Sequence, residues 1–164
     1  MRVDFGTMAE KAQSQGQTGA PDPVARATQL FAAGISCAPA ILGAFAPRLG
    51  IDEEHAARCA SCFGGGMISS GKTCGAVTGA MMVIGLARGP GVRTDADARK
   101  DAYDLTAELW RRFTARHGSI ECREILGVDI STPEGRAEAV AANLFTTRCA
   151  DAVRDAAEIV RNLL

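Results

Sequence analysis

Six cysteines stand in a chain of 164 residues, and their positions suggest chemistry more than their number does. Cys37 follows Ser36, Cys74 follows Thr73, Cys122 lies three residues beyond Ser119, and Cys149 lies two beyond Thr147. Each hydroxyl residue is an N-cap candidate, so four cysteines are expected in the first turns of four different helices. There the unpaired amides and the positive end of the helix dipole favour thiolate over thiol. Four such ends brought together would form a pocket suited to an anionic cluster of sulfur and metal. Any one of these residues could be a small buried hydrophobe, but four at equivalent positions argue for a site. Their long separations match neither the compact ferredoxin nor the zinc-ribbon spacings.

The remaining two, in Cys59-Ala60-Ser61-Cys62, share a face near the end of a helix. Phe63 follows where haem attachment needs histidine, and no strand precedes as a thioredoxin-like motif needs. The pair can serve as extra ligands, as a thiol relay, or as packing against the glycines that follow. Gly66 to Thr73 matches the phosphate-loop pattern G-x-x-x-x-G-K-T letter for letter. A true phosphate loop leaves a buried strand, whereas residues 54–63 are alanine-rich and helical in pattern, and no apolar segment ending in aspartate offers a magnesium partner. A tight turn between helices is the better reading, with nucleotide binding the minor alternative. His55 reads as a surface residue and His117 as a partner for a helix C-terminus. Trp110 and Tyr103 read as packing residues, and Met81 and Met82 as core. No Ser-His-Asp or paired-carboxylate arrangement supports a hydrolase.

The elements that must position these groups are helices. Residues 1–21 are rich in Gln, Gly, Ser and Thr and read as a flexible leader, and residues 22–164 as one domain. Asp22-Pro23 opens a helix that stops at Gly34. A second runs from Cys37 to about Pro47, and a third follows Asp52 as far as Gly64-Gly65-Gly66. Thr73 is expected to cap a helix from Cys74 to about Arg88, whose Gly75, Ala76, Gly79 and Ala80 allow close helix approach and would also suit a homodimer interface. The longest helix, roughly Asp95 to His117, is expected to be opened by Thr94 and closed by Gly118, and carries the apolar line Ala98, Ala102, Leu105, Leu109, Phe113. A short helix to Leu126, another opened by Thr132-Pro133, and a last one from Thr146 or Thr147 to Leu164 complete an all-α, compact bundle of seven or eight helices.

Composition agrees with a compact, small-residue fold: 18 glycines, 30 alanines and 5% aromatics. A net charge of −1 gives no basic field for nucleic acid, and the longest apolar run, Ala76 to Ala87, is too short to span a bilayer. The polar N-terminus carries no hydrophobic signal core, which points to the cytoplasm. In that compartment six cysteines favour metal, cluster or redox chemistry over a disulfide scaffold.

The motifs Phe63-Gly64-Gly65-Gly66-Met67 and Cys74-Gly75-Ala76-Val77-Thr78-Gly79 resemble the core of the C_GCAxxG_C_C family of redox-active proteins. Ser36-Cys37-Ala38 resembles its first cysteine, Gly118-Ser119-Ile120-Glu121-Cys122 its third, and Ser131-Thr132-Pro133-Glu134-Gly135 followed by Cys149 its C-terminal part. The resemblance covers residues 25–164. It maps the family cysteines onto Cys37, Cys74, Cys122 and Cys149, and related domains in split-Soret cytochromes hold an iron-sulfur cluster through cysteines. It therefore implies electron transfer or redox sensing with a redox partner protein, through a cluster or through reactive thiols. Cys59 and Cys62 are additional to the family pattern. A metal-free thiol-disulfide enzyme or sensor is the alternative, and a structural zinc protein the third reading.

Overall fold

The computed structural model describes residues 21–164, so the expected leader lies outside the described residues except for Pro21. Among the described residues there are eight α-helices and no strand. Helix α1 spans Pro23–Ala32, with the Asp22 side chain accepting from the Ala25 N–H at 3.2 Å and Pro23 in the first turn. Helix α2, Cys37–Phe45, has every residue buried and passes into a 3₁₀ turn, Ala46–Leu49. Helix α3, Glu53–Ala60, is capped by Asp52 and continues as the 3₁₀ turn Ser61–Phe63. Helix α4 is Gly75–Arg88, and α5 is Ala96–His117, opened by Asp95 and closed by Gly118 in the left-handed region. The short α6, Cys122–Leu126, leads to α7, Pro133–Ala141, capped by Thr132, and to α8, Arg148–Leu163.

Helix α2 is the centre of the bundle. It packs against α1, α3, α4 and α8, while α8 also contacts α1, α4 and α5. The close approach of α4 to α2 depends on glycine. A Cβ at Gly79 would sit 2.8 Å from the Ala38 carbonyl oxygen, and one at Gly75 would sit 2.9 Å from that of Phe63 and 3.0 Å from Cys37 Cβ. The small-residue face considered for a dimer is therefore spent inside the chain. On α5, Ala102, Leu109 and Phe113 are buried as their spacing predicts. On α8, Cys149, Val153, Ala156 and Val160 are buried as well, and Leu163 on the same line is half-buried.

Several local expectations are corrected. Thr73 does not cap α4: Cys74 is itself the N-cap residue, and the Thr73 hydroxyl donates to Glu121 Oε1 at 3.2 Å. Ser119 does not cap α6, whose N-cap is Glu121; its oxygen instead accepts from the Glu121 N–H at 2.9 Å. Tyr103 and Trp110 are not packing residues but are 70% and 40% exposed, because Ala102, Leu109 and Phe113 already fill the buried side of α5. His117 does lie in the last turn, stacked on Phe113 at 4.4 Å. Its Nε2 sits 3.1 Å from Asp155 Oδ2, out of line for a hydrogen bond.

Candidate redox site

Cys37 occupies the first position of α2, Cys74 the N-cap of α4, Cys122 the first position of α6 and Cys149 the second of α8. These four helix starts converge, and all four side chains line one cavity of about 800 Å³. Each of the four cysteines is buried and free, whereas Cys59 and Cys62 are exposed. Cys62 also borders the cavity and Cys59 does not.

Backbone pairing fixes half of this arrangement. Thr73 and Glu121 form an antiparallel bridge, with the Cys74 N–H donating to the Ile120 carbonyl at 2.8 Å and the Cys122 N–H to that of Lys72 at 2.7 Å. The bridge sets Cys74 and Cys122 side by side although their helices are distant in sequence. Gly66 makes room for it: a Cβ there would meet the Lys72 carbonyl oxygen at 2.5 Å and Cys122 Cβ at 2.7 Å. Arg148 ties the start of α8 to the end of α6 through Nη1, which donates to the Ile125 and Leu126 carbonyls at 2.9 and 3.2 Å.

The segment that matches the phosphate-loop pattern has a different role. Gly65, Gly66, Met67, Ile68 and Ser69 all have positive φ, forming a left-handed turn over the cavity. The amides of Met67 through Lys72 all donate to backbone carbonyls, so they cannot cradle a phosphate. A 3₁₀ turn rather than a strand precedes them.

Thiol ionisation departs from what helix starts alone predict. Burial pushes the Cys74 thiol up to about 11, even though its sulfur faces the N–H groups of Ala76 and Val77; these amides are not aligned as a formed cap. Burial, then the charges of Cys74 and Cys149, push Cys122 up to about 12. The Cys37 and Cys149 thiols act on each other: Cys149 is held below the usual thiol value by its neighbour, and Cys37 is raised first by Cys149 and then by burial. At Cys74 and Cys122 desolvation outweighs what the helix starts offer.

Sequence reading missed much of the wall. Phe31, Ile130, Arg136 and Phe145 line the cavity with the cysteines, and Arg136 lies over the Phe145 ring at 5.7 Å. Arg136 sits in an ordinary polar helical pattern, and no spacing signal separates it from the other arginines. His55 is exposed, bonded to Asp52 of its own helix cap.

Among the described residues, no three His, Cys, Asp or Glu side chains are placed to hold a single metal ion, and no helix is long and apolar enough to cross a membrane. No curated protein and no solved structure matches the chain significantly. Residues 35–163 match the family described as "Putative redox-active protein (C_GCAxxG_C_C)". That span runs from the approach to α2 through α8 and takes in all six cysteines, so the chain belongs to the C_GCAxxG_C_C family of redox-active proteins.

Proposed function

We propose that this redox protein holds an iron-sulfur cluster through Cys37, Cys74, Cys122 and Cys149, and uses it for electron transfer with a partner protein or for redox sensing in the cytoplasm. The observation that carries the reading is the meeting of four cysteines, far apart in sequence, at one cavity. Buried thiolates are the donors that iron-sulfur clusters use. A structural zinc ion needs four donors about 2.3 Å from one centre, and the described cysteines are not gathered around a single point. A cluster spreads its ligands over a larger frame. When bound, the cluster supplies one-electron redox chemistry, and the surrounding chain sets its burial and solvent access. Cys62, at the cavity edge, is the nearest further thiol.

Anaerobically purified protein should be brown and contain iron and acid-labile sulfide. Serine at Cys37, Cys74, Cys122 or Cys149 should lower both, while Cys59→Ser should not. A folded, colourless, metal-free product overturns the reading.

Cys37 and Cys149 line the same cavity and shift each other's ionisation, which favours a second reading, a metal-free dithiol. In it, the Cys149 thiolate attacks a partner's disulfide and forms a mixed disulfide with release of one partner thiol. Cys37 then displaces the second thiol and closes a Cys37–Cys149 disulfide, so the partner gains the two electrons that the pair loses. A reversible loss of two hydrogens located to this pair, in iron-free protein, would select this reading.

A further inference from the structure

The cavity is larger than the cysteines alone account for, and its other walls differ in character from the cysteine side. At about 800 Å³ it lies within the range of small-molecule sites. Phe31, Ile35, Ile68, Ile130 and Phe145 give it an apolar lining. Among the described residues, Arg136, itself exposed at the mouth, is the one charged residue that lines it, with neither carboxylate nor lysine.

Among the described residues most arginines find carboxylates, as Arg26 does with Glu53 and Arg161 with Asp22, though Arg48, Arg93, Arg99 and Arg148 do not. Among the described residues, Arg136 pairs with none. What it has instead is the Phe145 ring beneath its guanidinium carbon, 5.7 Å from the ring centre. Such stacking occupies a face of the guanidinium and leaves its edge N–H donors directed outward in the plane. That edge matches the two oxygens of a carboxylate. The hydroxyls of Ser36 and Thr146 on the same cavity can supply further hydrogen bonds.

We propose that this cavity binds a small organic carboxylate, with its apolar body between Phe31, Ile130 and Phe145 and its carboxylate on Arg136. The charge complementarity commits the site to an anion, and the apolar walls commit it to a molecule with an aromatic or branched aliphatic body rather than a bare ion. The inference goes beyond the cluster reading and stands on the cavity alone. It places a small-molecule site against the redox cysteines, where a bound carboxylate would lie beside Cys149 and Cys37 on a shared wall.

The test is calorimetric titration of the full chain with 4-phenylbutyrate and with its neutral amide, 4-phenylbutanamide, and the same pair with Arg136→Gln. The carboxylate should bind about tenfold more tightly than the amide, the order expected of a charge-assisted hydrogen bond that is partly open to water. In Arg136→Gln that preference should vanish while the amide affinity stays unchanged. Ile130→Trp, which fills the cavity, should weaken both ligands together. No binding of either ligand, equal binding of the two, or a carboxylate preference that survives Arg136→Gln would each overturn the proposal. Iron is to be measured on the same samples. Colourless protein that still prefers the carboxylate ends the cluster reading and keeps this one, and brown protein indifferent to charge does the reverse.

Discussion

At Cys37 and Cys149 burial and the neighbouring thiol act together. Burial disfavours both thiolates, while the two thiols move each other's ionisation in opposite directions, Cys149 down and Cys37 up. Although none of the hydroxyls beside them makes the expected cap bond, the places of the four cysteines at helix starts could be read from the sequence. Their ionisation could not, because a dipole is legible in the local sequence and desolvation depends on what the rest of the chain lays over the residue. Accessibility gives a direct check. With brief iodoacetamide treatment of native protein at neutral pH, mass spectrometry should find label first on exposed Cys59 and Cys62, and more slowly on the four buried cysteines that line the cavity. A tighter test concerns Gly75, where a methyl group would press on Phe63 and on Cys37 itself. Gly75→Ala should cost about 1–3 kcal/mol in urea unfolding, the usual penalty of overpacking, and should lower iron content by displacing Cys37.

Among the elements, the helices lie where their patterns put them, several caps differ, and the turn from Gly65 to Ser69 did not announce itself. Asp22, Asp52 and Thr132 each cap the helix they precede, which is short-range chemistry visible in a few residues, whereas the longest helix is capped by Asp95 rather than Thr94. The left-handed turn places Met67, Ile68 and Ser69 at φ values of 62°, 48° and 61°, a conformation that costs an L-residue roughly 1–2 kcal/mol. Only the tertiary frame of the 71–74 and 120–123 pairing compensates for that cost, so sequence inspection found only the glycines. Ile68 is 77% exposed and gives little burial in return. Ile68→Gly should therefore raise stability by about 1 kcal/mol in urea unfolding, the opposite of the usual effect of glycine. If the turn is instead retained for its side chains at the cavity, the same variant should weaken ligand binding while the fold becomes more stable.

Across the whole molecule, the first helix is tied to the last by Asp22 and Arg161, 3.0 Å apart. Slight burial raises the Asp22 pKa, but the Ala25 N–H and the Arg161 guanidinium outweigh it and hold the carboxyl below its ordinary 3.8. The stabilisation is thus complete above that value and is lost as pH falls through the lowered one. Urea midpoints taken from pH 5 down to pH 2 should fall less steeply in Asp22→Asn than in the native chain. No helix pattern reveals this pairing, and the same holds for the cavity, whose walls come from distant parts of the chain. The gathering of Cys37 and Cys149 from opposite ends of the described chain has a consequence for biosynthesis. On the ribosome Cys37, Cys74 and Cys122 emerge while α8 is still unmade, and their pocket lacks a wall. Whatever the site carries can be fully held only once α8 has docked on the earlier helices, so filling the site follows the folding of the last helix.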